Sequence, residues 1–504
     1  MTLIGTVYTV TVTILALYGV YALVLIVQYG RHRLRHHPLP QVALPGCDAS
    51  LPAVTVQAPM YNERYVAERC IDALAALDWP RDRLHIQILD DSTDDTTAIA
   101  RAQIEHYRRR GVDITLIHRS SRAGYKAGAL ANGLALARGE FVAVFDADFA
   151  PAPDFLRRVM PHFIGRDSVG FVQARWEHLN YSCSTLARAL SLMVDGHFVV
   201  EQFARNRSDW PMIFNGSAGV WRRACLESSG GWQADTLCED MDLSYRAALT
   251  GWRCVFVPEV AVPQEEPASI GAFKSQHARW AKGGAQCLRK HAVSILASPR
   301  WSPAQKLLGL AYLVGYTMHV GVMLVVLLWL PLAFDGQTLR QLPLTFLGLT
   351  GLALPIEFVL AQWSLHRHDG TWLRRLAYLP LLLVIGFGVA FNNALAVLAG
   401  LFTRGGEFDR TPKIAAGGVG ANGYASRGEI QAWFEIAVAL YALVAAVAMW
   451  SRGNVSAAVF MLFYVAGLGS VGAGSLIEAL RAARAQAEMH PARARGADGV
   501  IHYE

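Results

Sequence analysis

Asp146-Ala147-Asp148 sets two carboxylates two residues apart, directly after the apolar run 141–145. Residues i and i+2 of an extended chain share a face, so both can address one hard cation. Mg²⁺ or Mn²⁺ held there would bridge to phosphate oxygens and take up the charge of a leaving diphosphate. Asp90 and Asp91 follow the run 85–89. A carboxylate at a strand end can accept hydrogen bonds from a base or ribose, or it can cap a turn with Ser92, Thr93 and Asp94. Lys126, in Gly124-Tyr125-Lys126-Ala127-Gly128, opens a helical stretch, where backbone amides and an ammonium suit phosphate. Glu239-Asp240 precedes Met241-Asp242-Leu243 at the start of another helix. Those carboxylates either pair with the helix dipole or take a proton from a nearby hydroxyl. Gln276-His277-Ala278-Arg279-Trp280 reads as helical, with Gln276 and Arg279 or Trp280 on one face. Arg pairs with diphosphate and a Trp face carries a sugar ring; helices at a membrane surface collect the same two residues. A cation site, a base and an aromatic plate are what sugar transfer from a nucleotide donor requires.

The elements around these residues alternate. Runs 53–58, 85–89, 113–118 and 141–145 read as strands, and amphipathic stretches 63–77, 95–109, 125–137 and 154–165 as helices. Strand followed by helix, repeated, implies an α/β domain with a mainly parallel sheet covered on both faces. Ligands sit beyond the carboxyl ends of such strands, where Asp90-Asp91 and Asp146-Ala147-Asp148 lie.

The 504 residues exceed one compact core and suffice for a domain plus membrane helices; 53% are hydrophobic and 17% charged. Net charge is +6, with Arg31, Arg33, Arg35, Arg374 and Arg375 beside apolar segments. That distribution speaks for membrane orientation rather than nucleic-acid binding. The seven cysteines form no CxxC pair, which argues against a disulfide framework or zinc site and fits a cytosolic domain. Residues 3–27 are uncharged, apolar and long enough to cross about 30 Å of hydrocarbon; the basic cluster follows them, as in an uncleaved anchor with a cytosolic exit. Further apolar stretches run 308–332, 342–364, 376–402, 430–450 and 455–479. The polar middle and the basic loop 403–428 both belong in the cytosol, so an even number of crossings separates them. Asn392 and Asn393 interrupt 376–402, and an amide pair is costly in lipid; this stretch is therefore expected to be interfacial, leaving five crossings.

With its motifs assembled, the chain resembles the membrane-embedded family 2 glycosyltransferases of GT-A fold, cellulose synthases and above all the plant cellulose-synthase-like mannan and glucan synthases. The matching text is Ala58-Pro59-Met60-Tyr61-Asn62-Glu63, Ile88-Leu89-Asp90-Asp91-Ser92-Thr93-Asp94, Gly124-Tyr125-Lys126-Ala127-Gly128-Ala129-Leu130, Phe145-Asp146-Ala147-Asp148-Phe149, Val172-Gln173-Ala174-Arg175-Trp176, Phe214-Asn215-Gly216-Ser217-Ala218-Gly219-Val220-Trp221-Arg222, Glu239-Asp240-Met241-Asp242-Leu243 and Gln276-His277-Ala278-Arg279-Trp280. The resemblance implies that Tyr61, Glu63 and Asp91 contact the nucleoside and Lys126 the donor. It implies that Asp146 and Asp148 hold metal and diphosphate, and that Asp240 is the general base with Glu239 and Ser217 among the substrate contacts. Gln276, Arg279 and Trp280 would hold diphosphate and acceptor sugar. Phe408-Asp409-Arg410-Thr411-Pro412-Lys413 looks like the cytosolic gating loop of these synthases, which brings Thr411 and Lys413 to the substrate. Cys238 stands where the family often has Thr, and Arg410 where Val is usual.

The organisation so implied is a transmembrane helix at 1–30, a linker at 31–52, a cytosolic GT-A glycosyltransferase domain at 53–290, and two transmembrane helices with an interfacial helix at 291–402. A gating-like loop at 403–428, two transmembrane helices at 429–480 and a cytosolic tail at 481–504 complete it. The expected enzyme is an inverting, metal-dependent hexosyltransferase that uses UDP-glucose or GDP-mannose to extend a β-glucan or β-mannan. The alternative acceptor is a single lipid of the ceramide or diacylglycerol type. Its partners would be the nucleotide sugar, a glycan or lipid acceptor and membrane lipids, with no nucleic acid. The many Ala and Arg residues suggest a bacterial inner (plasma) membrane as its location.

Overall fold

Short runs of β-branched and aromatic residues become strands because their side chains pack on both faces of a pleated sheet. The computed structural model describes residues 3–35, 44, 48–334, 349–407 and 429–496. Its sheet has the order β3-β2-β1-β4-β6-β5-β7. The strands are β1 Val54–Met60, β2 Leu84–Asp90, β3 Ile114–His118, β4 Phe141–Val144, β5 Val169–His178, β6 Gly219–Arg222 and β7 Arg253–Gln264. β1 runs parallel to β2 and β4, β2 to β3, and β5 to β7; β6 is antiparallel to both β4 and β5. Between or after the first four strands lie α2 Ala67–Ala75, α3 Thr96–Arg109, α4 Tyr125–Leu136 and α5 Phe155–Val159, with α1 Leu3–Leu34 ahead of them and α6 Thr185–Gly196, α7 Phe203–Arg207 and α8 Arg223–Ser228 following. The helix expected over 154–165 divides at residue 160 into α5 and a tighter turn, Met160–Phe163. Pro161 supplies no backbone N–H to continue it.

Side-chain alternation divides the core into two layers. Phe141, Ala143 and Phe145 join Ile71, Leu74, Ile86 and Ile88 on one face of the sheet. Val142 and Val144 join Leu130, Phe171, Phe214 and Trp221 on the other. β1 is flanked by β2 on one side and β4 on the other. The chain therefore changes direction beside β1, and its carboxyl end is a switch point where a ligand crevice opens.

Beyond the sheet, Leu3–Leu34, Pro303–Phe334, Ile430–Ser451 and Val455–Arg481 are long and apolar enough to cross a membrane. Val10, Leu17, Leu440 and Trp450 stay exposed on them, as lipid-facing side chains do. Of the stretch 342–364, residues from 349 on are described, with the helix Ala353–His366 as its main element. Trp372–Gly388 and Ala390–Phe402 form a pair bent by 44°. The bend falls ahead of the Asn pair. Asn392 donates from Nδ2 to Lys274 O at 3.0 Å and accepts from Gln431 at 2.8 Å. Both amides are buried within protein, so the cost of an amide in lipid does not arise there.

Candidate active site

One corner of the cleft is built from the ends of β1 and β2. Asn62 adopts φ 55°, a left-handed conformation that Asn tolerates better than most residues. Its N–H donates to Ser92 Oγ at 2.8 Å, and its Oδ1 accepts from the Thr93 N–H at 2.8 Å. The two strand ends are thereby bolted together. Asp90 is fully buried and accepts from Ser92 N–H at 3.0 Å and Thr97 Oγ at 2.6 Å, with His118 Nδ1 at 2.9 Å. Burial raises its pKa, but these hydrogen bonds outweigh burial and hold it below the usual carboxylate range. Asp90 is thus the brace, and Asp91 faces the cleft. Arg119 clasps Asp91 with a two-pronged contact, Nε to Oδ1 at 2.7 Å and a terminal nitrogen to Oδ2 at 2.5 Å. The Arg122 guanidinium lies 3.4 Å from the Tyr61 ring centre and 5.0 Å from that of Tyr125.

Beside that corner, α4 carries Lys126 to the mouth of the strands. Its Nζ lies 2.6 Å from Asp146 Oδ1, 3.6 Å from Glu239 Oε1 and 3.0 Å from the Gly216 carbonyl oxygen. Burial would lower its pKa, but Asp146 and Glu239 push it up to about 12, so the ammonium stays charged. Burial raises the Asp146 pKa against the pull of Lys126, and Asp148 adds to the rise. Two hard carboxylates crowded in this way fit a divalent cation whose remaining ligands come from diphosphate and water. Among the described residues no group of three or more His, Cys, Asp or Glu forms a complete metal site. Asp146 and Asp148 would be the residues to hold such an ion, and the ammonium already drawn to Asp146 marks the spot as one that attracts positive charge.

Opposite stands α9 Glu239–Thr250. Two carboxylates of its first turn have opposite fates. Asp242 is surrounded by His291 Nε2 at 2.8 Å, Arg246 at 2.8 Å and Lys290 at 2.8 Å. Burial works against it, but these partners bring its pKa down to about 2. Asp240 accepts from the Met241 N–H at 2.7 Å. Burial and the neighbouring Glu239 push its pKa up to about 7. Environments that drive two carboxylates apart assign their roles: Asp242 is a structural anchor, and Asp240 is poised to exchange a proton near neutrality. Gly216, at φ +80°, makes room for this carboxylate; a Cβ there would lie 2.8 Å from Asp240 Oδ2 and 3.3 Å from Lys126 Nζ.

The third wall is α10 Ile270–Ala297, which brings Gln276, Arg279 and Trp280 to the cleft. His277 sits between Phe273 and Trp280, with ring centres 4.1 and 5.0 Å away. The start of α10 is fixed from the long apolar helices. Glu478 accepts from the N–H groups of Ile270 and Gly271, each at 2.9 Å, and Lys274 Nζ donates to Glu435 Oε2 at 2.9 Å.

Eleven of the expected residues thus line one cleft: Tyr61, Glu63, Asp91, Lys126, Asp146, Asp148, Glu239, Asp240, Gln276, Arg279 and Trp280. Ser217 is fully buried behind the wall, where its Oγ accepts from the Asp146 N–H at 2.9 Å and so aims the metal-site strand end. Thr411 and Lys413 lie outside the described residues. Arg119, Arg122 and Gln264 were not singled out by sequence; only their neighbours in space, Asp91, Tyr61 and the cleft, mark them.

Residues 52–283 match the family model described as glycosyltransferase like family 2. The chain is similar to probable glucomannan 4-beta-mannosyltransferase 7 of Oryza sativa subsp. japonica, 43% identical over 251 residues, 49% of this chain and 43% of the relative. It is similar to glucomannan 4-beta-mannosyltransferase 1 of the same plant, 40% identical over 272 residues, 53% and 52% of the two chains. With glucomannan 4-beta-mannosyltransferase 7 of Arabidopsis thaliana the figures are 42% over 254 residues, 50% and 46%. The matches span about half the length of these curated relatives. Among solved structures, mannosyltransferase PcManGT from Pyrobaculum calidifontis, in complex with GDP-Man and Mn²⁺, superposes with a TM-score of 0.52 at 24% identity, over 78% of this chain and 99% of that one. The shared fold is GT-A. Residues 52–283 of this chain are a family 2 glycosyltransferase domain.

Proposed function

We propose that the protein is an inverting, metal-dependent β-mannosyltransferase that extends a β-mannan or glucomannan from GDP-mannose at a membrane. The observation that carries this reading is the convergence of Asp240, a carboxylate with a raised pKa, and the Lys126–Asp146 pair on one cleft. The names of the relatives favour mannose over glucose as the transferred sugar.

The steps follow from the groups present. The acceptor hydroxyl gives its proton to the Asp240 carboxylate. The oxygen attacks the anomeric carbon as the bond from that carbon to the diphosphate oxygen breaks on the opposite face. One such displacement turns an α-linked donor into a β-linked product. Lys126 and Arg279 take up charge on the departing diphosphate. A divalent cation on Asp146 and Asp148 would supply further neutralisation of that charge. Trp280 offers a ring face for the acceptor sugar, and Tyr61 with Asp91 a corner for the nucleoside. Arg31, Arg33 and Arg35 follow the first apolar helix, which favours a cytosolic cleft. Relatives from rice and Arabidopsis lend no support to a bacterial inner membrane, so the proposal stops at a membrane.

The test uses the purified full chain in lipid, with radiolabelled GDP-mannose or UDP-glucose. A ladder of β-linked oligomers from GDP-mannose is the expected result. A single glycolipid product would replace the polymer reading with the lipid-acceptor one. Absence of sugar transfer from both donors would overturn glycosyl transfer itself.

A further inference from the structure

We propose that Asn215 reads the C2 hydroxyl of the transferred sugar, and that His197, Glu201 and Gln202 are positioning residues that lock its amide in one orientation. The inference rests on the glycosyl-transfer reading above and adds to it the residue that selects the sugar.

The helix that begins at Thr185 and ends at Arg207 is not uniform. Between its α-helical parts, Thr185–Gly196 and Phe203–Arg207, runs a wide π turn, His197–Gln202. Such turns are rare and are found mostly as single insertions at functional sites. Here the turn sends three polar side chains toward one cleft residue. Gln202 Nε2 donates to Asn215 Oδ1 at 2.6 Å, Asn215 Nδ2 lies 2.9 Å from His197 Nε2, and His197 Nδ1 lies 2.9 Å from Glu201 Oε2.

The direction of every one of these bonds is forced. Gln202 Nε2 also meets the Ile213 carbonyl oxygen at 2.9 Å, and a carbonyl can only accept. That atom is therefore the amide nitrogen, and it donates to Asn215, whose facing atom must be Oδ1. The other amide atom of Asn215 is then the NH₂ group, which donates to His197 Nε2. A ring nitrogen that accepts carries no proton, so the proton of neutral His197 sits on Nδ1 and is donated to the Glu201 carboxylate. The Asn215 backbone N–H is held too, by Gln173 Oε1 at 2.9 Å. One carbonyl thus fixes, through Gln202, the amide of a cleft residue and the tautomer of His197 behind it.

Asn215 is held where discrimination matters. It lines the cleft next to Gly216, and Gly216 is the residue over which Asp240 Oδ2 and Lys126 Nζ approach one another. A sugar passing from the diphosphate side to the base must cross this wall. Beyond its bonds to His197 and Gln202, the amide has a second N–H and a second Oδ1 lone pair, a donor and an acceptor side by side that suit one sugar hydroxyl. A site built around a hydrogen bond to a hydroxyl discriminates strongly against a sugar that cannot offer it.

The experiment compares kcat/KM for GDP-mannose and GDP-glucose, which differ only in configuration at C2, with the full-length enzyme in lipid. N215A and H197L are each expected to shrink the ratio about tenfold or more, the equivalent of one hydrogen bond. H197Q, which keeps an acceptor at the same reach, should stay within about threefold of the parent ratio. Should N215A fail to fold, H197L leaves Asn215 in place and carries the test. A parent-like ratio in folded N215A or H197L, whatever happens to total turnover, would overturn the proposal, as would an H197Q enzyme no more selective than H197L. If the parent enzyme proves to use a UDP-sugar, the same ratio is read for that donor and its C2 epimer. No turnover of any donor by the parent would sink the glycosyl-transfer reading itself, an outcome distinct from a selectivity that fails to move.

Discussion

Gly216→Ala separates the geometry of the base from the stability of the fold. The glycine has φ +80°, and the added methyl carbon would lie 2.8 Å from Asp240 Oδ2 and 3.3 Å from Lys126 Nζ. Holding a non-glycine residue in the left-handed region costs about 1–2 kcal/mol. The carboxylate oxygen, 2.8 Å away, must also retreat by about 0.7 Å or rotate away to reach ordinary contact distance, about 3.5 Å. Displacement of a reacting group by about 1 Å costs on the order of 10²-fold in rate, so we expect kcat to fall by about 10- to 100-fold. Gly231→Ala is the control. Gly231 has φ +64° and nothing within 4 Å of the added carbon, so the backbone cost is shared and the clash is not. The assay is release of GDP from GDP-mannose, with thermal unfolding of both variants in the same lipid. Equal losses of unfolding temperature with loss of turnover only in G216A would support the argument. Turnover within threefold of the parent in G216A would refute it, because the base would then not depend on the room this glycine leaves.

Chelation with EDTA should abolish transfer, and Mn²⁺ or Mg²⁺ should restore it; full incorporation under saturating EDTA would remove the cation from the mechanism. Asp240 must be deprotonated to act, and burial beside Glu239 raises its pKa to about 7. Accordingly kcat/KM should rise with pH up to neutrality and flatten above it, and a profile level from pH 5 to 8 would exclude this base. Trp280→Ala should weaken use of the acceptor by about 1 kcal/mol while sparing hydrolysis of the donor by water. Equal loss in both reactions would mark the ring as structural, packed on His277.

The first half of the sheet was legible because its strands are short apolar runs separated by amphipathic helices of ordinary length. β5, β6 and β7 were not read. β6 has only four residues, and β7 contains Pro258 and Pro263, which obscure its pattern. The acidic motifs were legible since they sit at strand ends or a helix start and their chemistry is local. Arg119 and His197 were not, because their meaning depends on partners 28 and 18 residues away that only the fold brings within reach. Ser217 was legible as part of a motif but not as a buried support for Asp146. The pair Asn392-Asn393 was weighed against lipid, when its surroundings are Lys274, Gln431 and His319.

The anchoring of α10 bears on how the enzyme can be handled. The family match ends at residue 283, part-way along a helix that continues to Ala297. That helix begins under the carboxylate of Glu478 and beside Glu435, both far downstream in the apolar half. A fragment trimmed to the match would sever the helix and strand the Lys274 ammonium without its counter-ion. The water-soluble and lipid-facing portions are therefore not interchangeable modules, and hybrids with related synthases should be spliced so that residues 270–297, Glu435 and Glu478 all come from the same parent.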